Sequence, residues 1–340
     1  MTRVFSGIKP SGEMQLGNYV GAVRRWVSAQ PPAGSPAAAS HDAIYCVVDL
    51  HAMTVGYDPT VLRERTREVA TLLFAAGLDP ERSLVFVQSQ VGAHAECTWI
   101  LNCVATFGEL RRMTQFKEKS DGQESVSAGL FDYPVLMASD ILLYDTEEVP
   151  VGDDQRQHVE LTRDLALRFN HRFGDTFVVP KATFPTVGAR IMDLQQPTNK
   201  MSKSSDSPQG TVLVLDPPEV IAKKVRSAVT DSGSEVRYDP DEKPGVSNLL
   251  DVYAAATAVG RDAAVEHFAG SGYGALKREV AEAVVEYLRP VRERYDELAR
   301  DPGAVDGFLA QGAEAAEAIA TGVLDRVRAA CGLLPRHGSA

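Results

Sequence analysis

The chain is 340 residues long, 44% hydrophobic and 24% charged, enough apolar material for one large domain or two moderate ones. A net charge of −11 excludes a molecule that holds nucleic acid through an overall basic surface, so any such contact rests on local patches. Cys46, Cys97, Cys103 and Cys331 show no C-x-x-C spacing and read as reduced thiols, not as a disulfide framework or zinc site. With no basic-then-apolar leader and no apolar run of bilayer length, no membrane contact is expected and the cytoplasm is the expected compartment.

Val4–Ile8 reads as an apolar strand that leads through Pro10-Ser11-Gly12 into a helix from about Gly17 to Ser28. Residues 30–41, rich in Pro, Ala, Gly and Ser, read as a surface loop. Residues 43–49 form a nearly apolar second strand, as a parallel strand covered on both faces should be. Asp58-Pro59 opens the next helix with an N-cap and a proline at the first position, and Gly77 closes it. A third strand runs from Ser83 to Val87. This β-α-β-α-β order predicts an α/β fold, a Rossmann-like nucleotide-binding parallel sheet with right-handed crossovers. Ligands then belong at the carboxyl ends of the strands, near Ser6–Ser11, Asp49–His51 and Gln88, with the Gly17-Asn18 helix start offering N–H groups to an anion. The glycines do not follow G-x-G-x-x-G, which disfavours a dinucleotide oxidoreductase.

Further along, residues 108–127 are rich in Lys, Glu, Ser and Gln with few apolar anchors, a composition suited to a loop or lid. Tyr133, Met137 and Asp140 are spaced to share one face of a helix beginning near Pro134. An apolar strand, residues 148–151, precedes Gly152-Asp153-Asp154-Gln155 at a helix start, where capping accounts for one of the two aspartates. Lys200-Met201-Ser202-Lys203-Ser204 places two ammonium groups three residues apart in a hydroxyl-rich loop. That suits a grip on polyphosphate, although such a loop alone reads equally well as solvated surface. Beyond it, helical spacing dominates around residues 247–259, 274–300 and 305–331, the second carrying Leu276, Val280, Val284 and Leu288 as a stripe interrupted at Pro290. The expected organisation is a catalytic domain, residues 1–204, followed by an α-helical domain, residues 205–340, whose last helix packs back on the first. Basic clusters at Arg111, Arg112, Lys117 and Lys119 and at Lys223, Lys224 and Arg226 are candidate nucleic-acid contacts, each also readable as a solvated helix face.

Pro10-Ser11-Gly12-Glu13-Met14-Gln15-Leu16-Gly17-Asn18 and the lysine loop, in this order, look like the two signatures of a class I aminoacyl-tRNA synthetase. Phe5-Ser6-Gly7-Ile8, Val48-Asp49-Leu50-His51-Ala52, the run from Gly108 to Lys119, the run from Val149 to Gln155, Gln157 to Asp164 and Gly188 to Met192 resemble the tryptophanyl-tRNA synthetase family over nearly the whole chain. The resemblance implies activation of L-tryptophan with ATP and magnesium, transfer to tRNA(Trp), a homodimer, and no metal site built by the protein alone. By the same resemblance, Asp140 accepts the indole N–H, Tyr133 and Gln155 hold the α-ammonium, and Phe5 and Met137 pack the ring, with His51 shaping the pocket. ATP is assigned to Lys9, Pro10, Ser11, Gly17, Asn18, Gly152, Asp153, Asp154, Ile191, Lys200, Met201, Ser202, Lys203 and Ser204. The catalytic set implied is Lys200, Lys203, Lys119, Gln15 and Asn18, with Lys119 closing on the phosphates. Two positions depart from the family pattern: Gln15 stands where His or Thr is usual, and Lys9 where many relatives have Gln. Adenylation needs no general base, so His51 is not read as one. The rival readings are a tyrosyl-tRNA synthetase, disfavoured by the substrate-helix string, and a tryptophan-binding adenylate former that does not charge tRNA.

Overall fold

The computed structural model describes residues 2–122, 125–184, 191–201 and 208–335. Five parallel strands, β1 (Val4–Ile8), β2 (Ala43–Val47), β3 (Leu84–Val87), β4 (Glu148–Pro150) and β5 (Lys181–Thr183), lie in the order β3-β2-β1-β4-β5. The chain winds outward from β1 in one direction and then returns to β1's other side, so the order reverses between β1 and β4. That switch point is where an open α/β sheet leaves a crevice. The register makes the crevice real: β1 pairs with β2 along its length, but with β4 only through Val4↔Glu148. Past that pair the two strands part.

Between β1 and β2, helical chain runs through α1 (Leu16–Asn18), a π-helical stretch (Tyr19–Val23) and α2 (Arg24–Ala29), followed by the short α3 (Pro36–Ala39). The expected helix is therefore present, with a π insertion that its composition did not announce. Residues 30–41 are more than a surface loop. Gln30 is buried, donating to the Val27 and Gly77 carbonyls and accepting from the Asp79 N–H, so one side chain replaces a missing backbone ladder. Asp58 caps α4 (Pro59–Ala75) by accepting from Thr60 and Val61, and Gly77 follows at φ +108°, as read from sequence.

After β3 come α5 (Ala93–Asn102), α6 (Phe107–Arg112), α7 (Thr114–Ser120), α8 (Ala128–Leu142), β4, α9 (Arg156–Phe173) and β5. Three expectations change here. The 108–127 stretch is mostly helical, because Thr106 and Glu109 form a reciprocal capping box and Leu110 and Met113 are buried beneath it. Helix α8 is capped by Ser127, whose hydroxyl accepts from the Leu130 N–H, and Pro134 sits inside it, not at its start. At α9, neither Asp153 nor Asp154 caps: Asp153 pairs with Arg156 at 2.7 Å, and Asp154 accepts from Gln155 Nε2 at 2.8 Å.

The rest is helical: α10 (Pro218–Arg226), α11 (Pro244–Thr257), α12 (Arg261–His267), α13 (Tyr273–Arg300) and α14 (Pro302–Ala330). Helix α13 passes through Pro290 without a break, since Leu288, Val291 and Leu298 stay buried along one face and tertiary packing offsets the lost hydrogen bond. Alternation along the strands divides the apolar interior in two. Tyr45, Val47, Val85 and Val87 face a core shared with α4, α10, α11 and α13, while Ile44, Cys46, Leu84 and Phe86 face one shared with α5, α8, α9 and α14. The first core runs without interruption from Met14 to Leu309, joining residues on both sides of position 204. Helix α14 covers β3, and Gly312 makes that approach possible: a Cβ there would lie 1.9 Å from the Val85 carbonyl oxygen. Among the cationic clusters, Lys223 and Arg226 are exposed, but Lys224 is buried against Asp216 at 2.7 Å and offers nothing to a nucleic acid.

Candidate active site

A cleft of about 650 Å³ opens where β1 and β4 diverge. Phe5, Lys9, His51, Lys119, Tyr133, Met137, Asp140, Gly152 and Gln155 all line it, so the structure gathers these sequence-predicted residues from five separate stretches of chain. Most of the wall is apolar, with Val48, Ile141, Val149 and Val151 beside Phe5 and Met137.

The most polar point is Asp140, 1% exposed on the inner face of α8. Gln88 Nε2 donates to its Oδ1 at 2.6 Å, His94 Nδ1 to the same oxygen at 2.7 Å, and His51 Nε2 to Oδ2 at 2.7 Å. Burial opposes its ionisation, but the His51 and His94 rings outweigh burial and hold the carboxyl well below the usual carboxylate range. Burial also keeps the Tyr144 phenol protonated, and its O–H donates to His94 Nε2 at 2.8 Å, leaving Nδ1 as the nitrogen that carries the proton. Gln88 is fixed in turn by the Leu50 N–H at 3.1 Å. A carboxylate has about four acceptor positions. Among the described residues three are taken, and the remaining one belongs to Oδ2. His94 and Tyr144 were missed from sequence, because nothing in their spacing connects them to Asp140.

A second polar group lines the cleft one to two turns back along α8, around Tyr133. Tyr133 O–H donates to Gln115 Oε1 at 3.3 Å, Lys119 Nζ donates to the same atom at 3.0 Å, and Gln115 Nε2 reaches the Asp154 carbonyl at 3.2 Å. Beneath them His158, 1% exposed, donates from Nε2 to the Tyr133 hydroxyl at 2.9 Å, while its Nδ1 finds no partner among the described residues. Burial first, then the charges of Lys119 and His51, push the His158 imidazole down to about 4. The fold therefore holds this ring neutral, whereas the unfolded chain takes up a proton near pH 6.5. Its contribution to stability is complete above about pH 6.5 and disappears as pH falls toward 4, a loss on the order of 2–3 kcal/mol. Urea unfolding at pH 7 and pH 4.5 should show a clearly larger drop for the parent than for His158→Gln. Equal drops would mean that this ring does not set the acid limit.

The cationic end of the cleft joins Lys9 and Lys119. Partial burial, then the Lys119 ammonium, lower the Lys9 pKa, as expected of a half-buried cation with a second cation lining the same cleft. Lys9, one of the two departures from the family pattern, thus faces the same space as Lys119. Pro10, Ser11, Gln15, Gly17 and Asn18 form the turn and helix start beside this end without lining the cleft. Gln15, expected to reach the phosphates, is 3% exposed and does not line the cleft, both ends of its amide being bonded internally. Asp153 and Asp154 stand exposed on the turn after β4. Ile191 and Met201 are 2% and 1% exposed and belong to the first core, with Ile191 Cβ 3.6 Å from where a Cβ on Gly17 would be. Lys200 is exposed within the Met192↔Lys200 bridge, and the neighbouring Met201 carbonyl accepts from Gln15 Nε2 at 2.7 Å, which brings the second signature's root against the first. Ser202, Lys203 and Ser204 lie outside the described residues.

Crevice position, two cleft-lining cations and a buried carboxylate suit a class I aminoacyl-tRNA synthetase, and the family comparison shows that class. The family described as tRNA synthetases class I (W and Y) matches residues 1–289. The chain is 56% identical to tryptophan–tRNA ligase 1 of Streptomyces coelicolor, with 98% of each covered. It superposes on tryptophanyl-tRNA synthetase from Mycoplasma pneumoniae with a TM-score of 0.85 at 34% identity, covering 98% of each chain. The Campylobacter jejuni enzyme in complex with ADP and tryptophan gives 0.82 at 33% identity, covering 98% of this chain and 100% of that one. The chain belongs to the bacterial-type tryptophanyl-tRNA synthetase family.

Proposed function

We infer that the chain activates L-tryptophan with ATP and transfers it to tRNA(Trp). The observation that carries the reading is an ionised, buried Asp140 with one acceptor position left, on the wall of an otherwise apolar cleft. The relatives reported above support it. A site that hydrogen-bonds a substrate N–H rejects an analogue lacking it by about four to five powers of ten, because the carboxylate would be left without its partner. In this reading the indole lies between Phe5 and Met137 with its N–H toward Asp140, and His51 fixes that carboxylate instead of acting as a base. The α-ammonium lies against Tyr133 and Gln155. Tyr133 directs its own O–H to Gln115 and accepts from His158, so this donor would take the remaining lone pair of the phenol oxygen.

The substrate carboxylate then attacks the α-phosphorus of ATP, the bond from that phosphorus to the bridging oxygen breaks, and pyrophosphate leaves. No proton has to move, so the residues act by placement and charge. Lys9 and Lys119 offset the phosphate charge from the cleft, and Lys200 and Lys203 from the second signature, while residues 152–154 meet the ribose and Ile191 and Met201 flank the adenine. Magnesium arrives with ATP and would neutralise its phosphates. In the second step the terminal ribose hydroxyl of the tRNA attacks the carbonyl of the adenylate and AMP leaves.

Residues 1–204 are assigned to catalysis and 205–340 to the helical tRNA-binding part, with α14 returning to the sheet. A homodimer is supported by an exposed apolar surface on which Met53, Trp99 and Phe107 are 47%, 72% and 70% accessible, a composition uncommon on a solitary molecule. A cytoplasmic location fits a tRNA substrate, and no described helix is long and apolar enough to cross a membrane. Pyrophosphate–ATP exchange with tryptophan, tyrosine and phenylalanine side by side tests the reading, together with charging of tRNA(Trp). Exchange with tryptophan alone, and charging, are expected. Exchange favouring tyrosine would move the chain to the sister activity, and exchange without charging would leave an adenylate former.

A further inference from the structure

Gln15 is occupied at both ends of its amide. Oε1 accepts from the Gly17 N–H at 2.9 Å, and Nε2 donates to the Met201 carbonyl at 2.7 Å and toward Asn18 Oδ1 at 3.4 Å. The Met201 bond spans 186 residues and is buried. It ties the start of α1 to the segment that carries Lys200. The backbone reinforces the same junction, with Leu16 N–H donating to Val212, Val214 N–H to Met14, and Met201 N–H to Ile191. Asn248 of α11 secures the other side, donating to the Met192 carbonyl at 3.0 Å and accepting from its N–H at 2.8 Å. Gly17 fits this arrangement, since a Cβ there would lie 2.8 Å from Gln15 Oε1.

We propose that Gln15 is a positioning residue for nucleotidyl transfer, a latch that fixes the Lys200–Met201 segment against the first signature without touching the phosphates. The inference rests on the adenylation reading above. A buried amide–carbonyl bond is well placed for this, because low local dielectric strengthens it and water does not compete. Lys200 adjoins the latched residue, so loosening the latch lets a phosphate-directed charge wander, and a misplacement of about 1 Å costs on the order of a hundredfold in rate. Threonine at this position can still accept from the Gly17 N–H but is too short to reach Met201. It would separate the two roles: a phosphate contact survives as a hydroxyl, whereas the latch is lost.

The test uses Gln15→Thr, with Gln15→Met as a second variant that keeps the volume and removes both bonds. Trypsin cleavage after Lys200, without nucleotide, should accelerate about fivefold or more in both, with melting temperatures close to the parent. Tryptophan-dependent exchange should lose about tenfold in kcat while KM for ATP stays within about twofold. Parental cleavage and parental kcat in Gln15→Thr would overturn the latch. A raised KM for ATP with unchanged cleavage would overturn it in favour of direct phosphate contact. Cleavage needs no activity, so a parent that fails to exchange with tryptophan would count against the adenylation reading and leave the latch measurement intact.

Discussion

Asp140→Ala should abolish tryptophan activation and destabilise the protein by about 3–5 kcal/mol. The truncation leaves the Gln88 amide and the His94 and His51 N–H groups aimed at empty space, and each buried donor without an acceptor carries its full desolvation cost. Asp140→Asn should separate recognition from stability. Its remaining carbonyl can still accept from Gln88 and His94, and a tautomer change lets His51 accept from the new amide. The indole N–H then meets an N–H₂ in place of Oδ2. We expect kcat/KM for tryptophan to fall by about two to three powers of ten and that for phenylalanine to change little, so discrimination collapses while the protein still folds. The measurements are exchange kinetics with both amino acids and thermal melting. An unchanged ratio in Asp140→Asn would remove this carboxylate from the role of reader.

Lys119→Ala should lower the rate of adenylate formation by about two powers of ten, equivalent to roughly 3 kcal/mol of transition-state stabilisation, with a much smaller change in tryptophan affinity. The lysine is anchored to Gln115 at 3.0 Å and lies 5.0 Å from the Tyr133 ring centroid, exposed at the mouth of the cleft that Lys9 also lines. In the proposed adenylation, losing it removes one of the two cleft-lining cations assigned to the phosphates, and it also loosens α7. The same variant should therefore show less ligand-dependent protection of α7 from proteases when ATP and a tryptophan analogue are present. Lys203→Ala, in the second signature, should reduce the single-turnover rate to a similar degree. If Lys119→Ala stayed within threefold of the parent in single-turnover assays, the charge at the mouth would have no part in the chemistry.

The sequence by itself determined the succession of strands and helices in the first half, the caps at Asp58 and Gly77, and the kind of chemistry. Each depends on local patterns: an apolar run bounded by turn residues, a side chain that reaches its own helix start, a motif whose residues are neighbours in the chain. The face shared by Tyr133, Met137 and Asp140 was legible for the same reason, since helical spacing alone puts them on one side. Pro290 and residues 108–127 were misread because tertiary burial at Leu288 and Val291, and at Leu110 and Met113, outweighs a local preference of only a few kcal/mol.

Only the tertiary structure decided what surrounds Asp140, because His51, Gln88 and His94 reach it across 89, 52 and 46 residues of chain. It likewise turned the Gln15 amide inward and joined it to Met201. A sequence motif states which side chains are near one another along the backbone. Where a glutamine's two amide ends find their partners depends on how separate segments pack, and here the junction between the two signatures satisfies both.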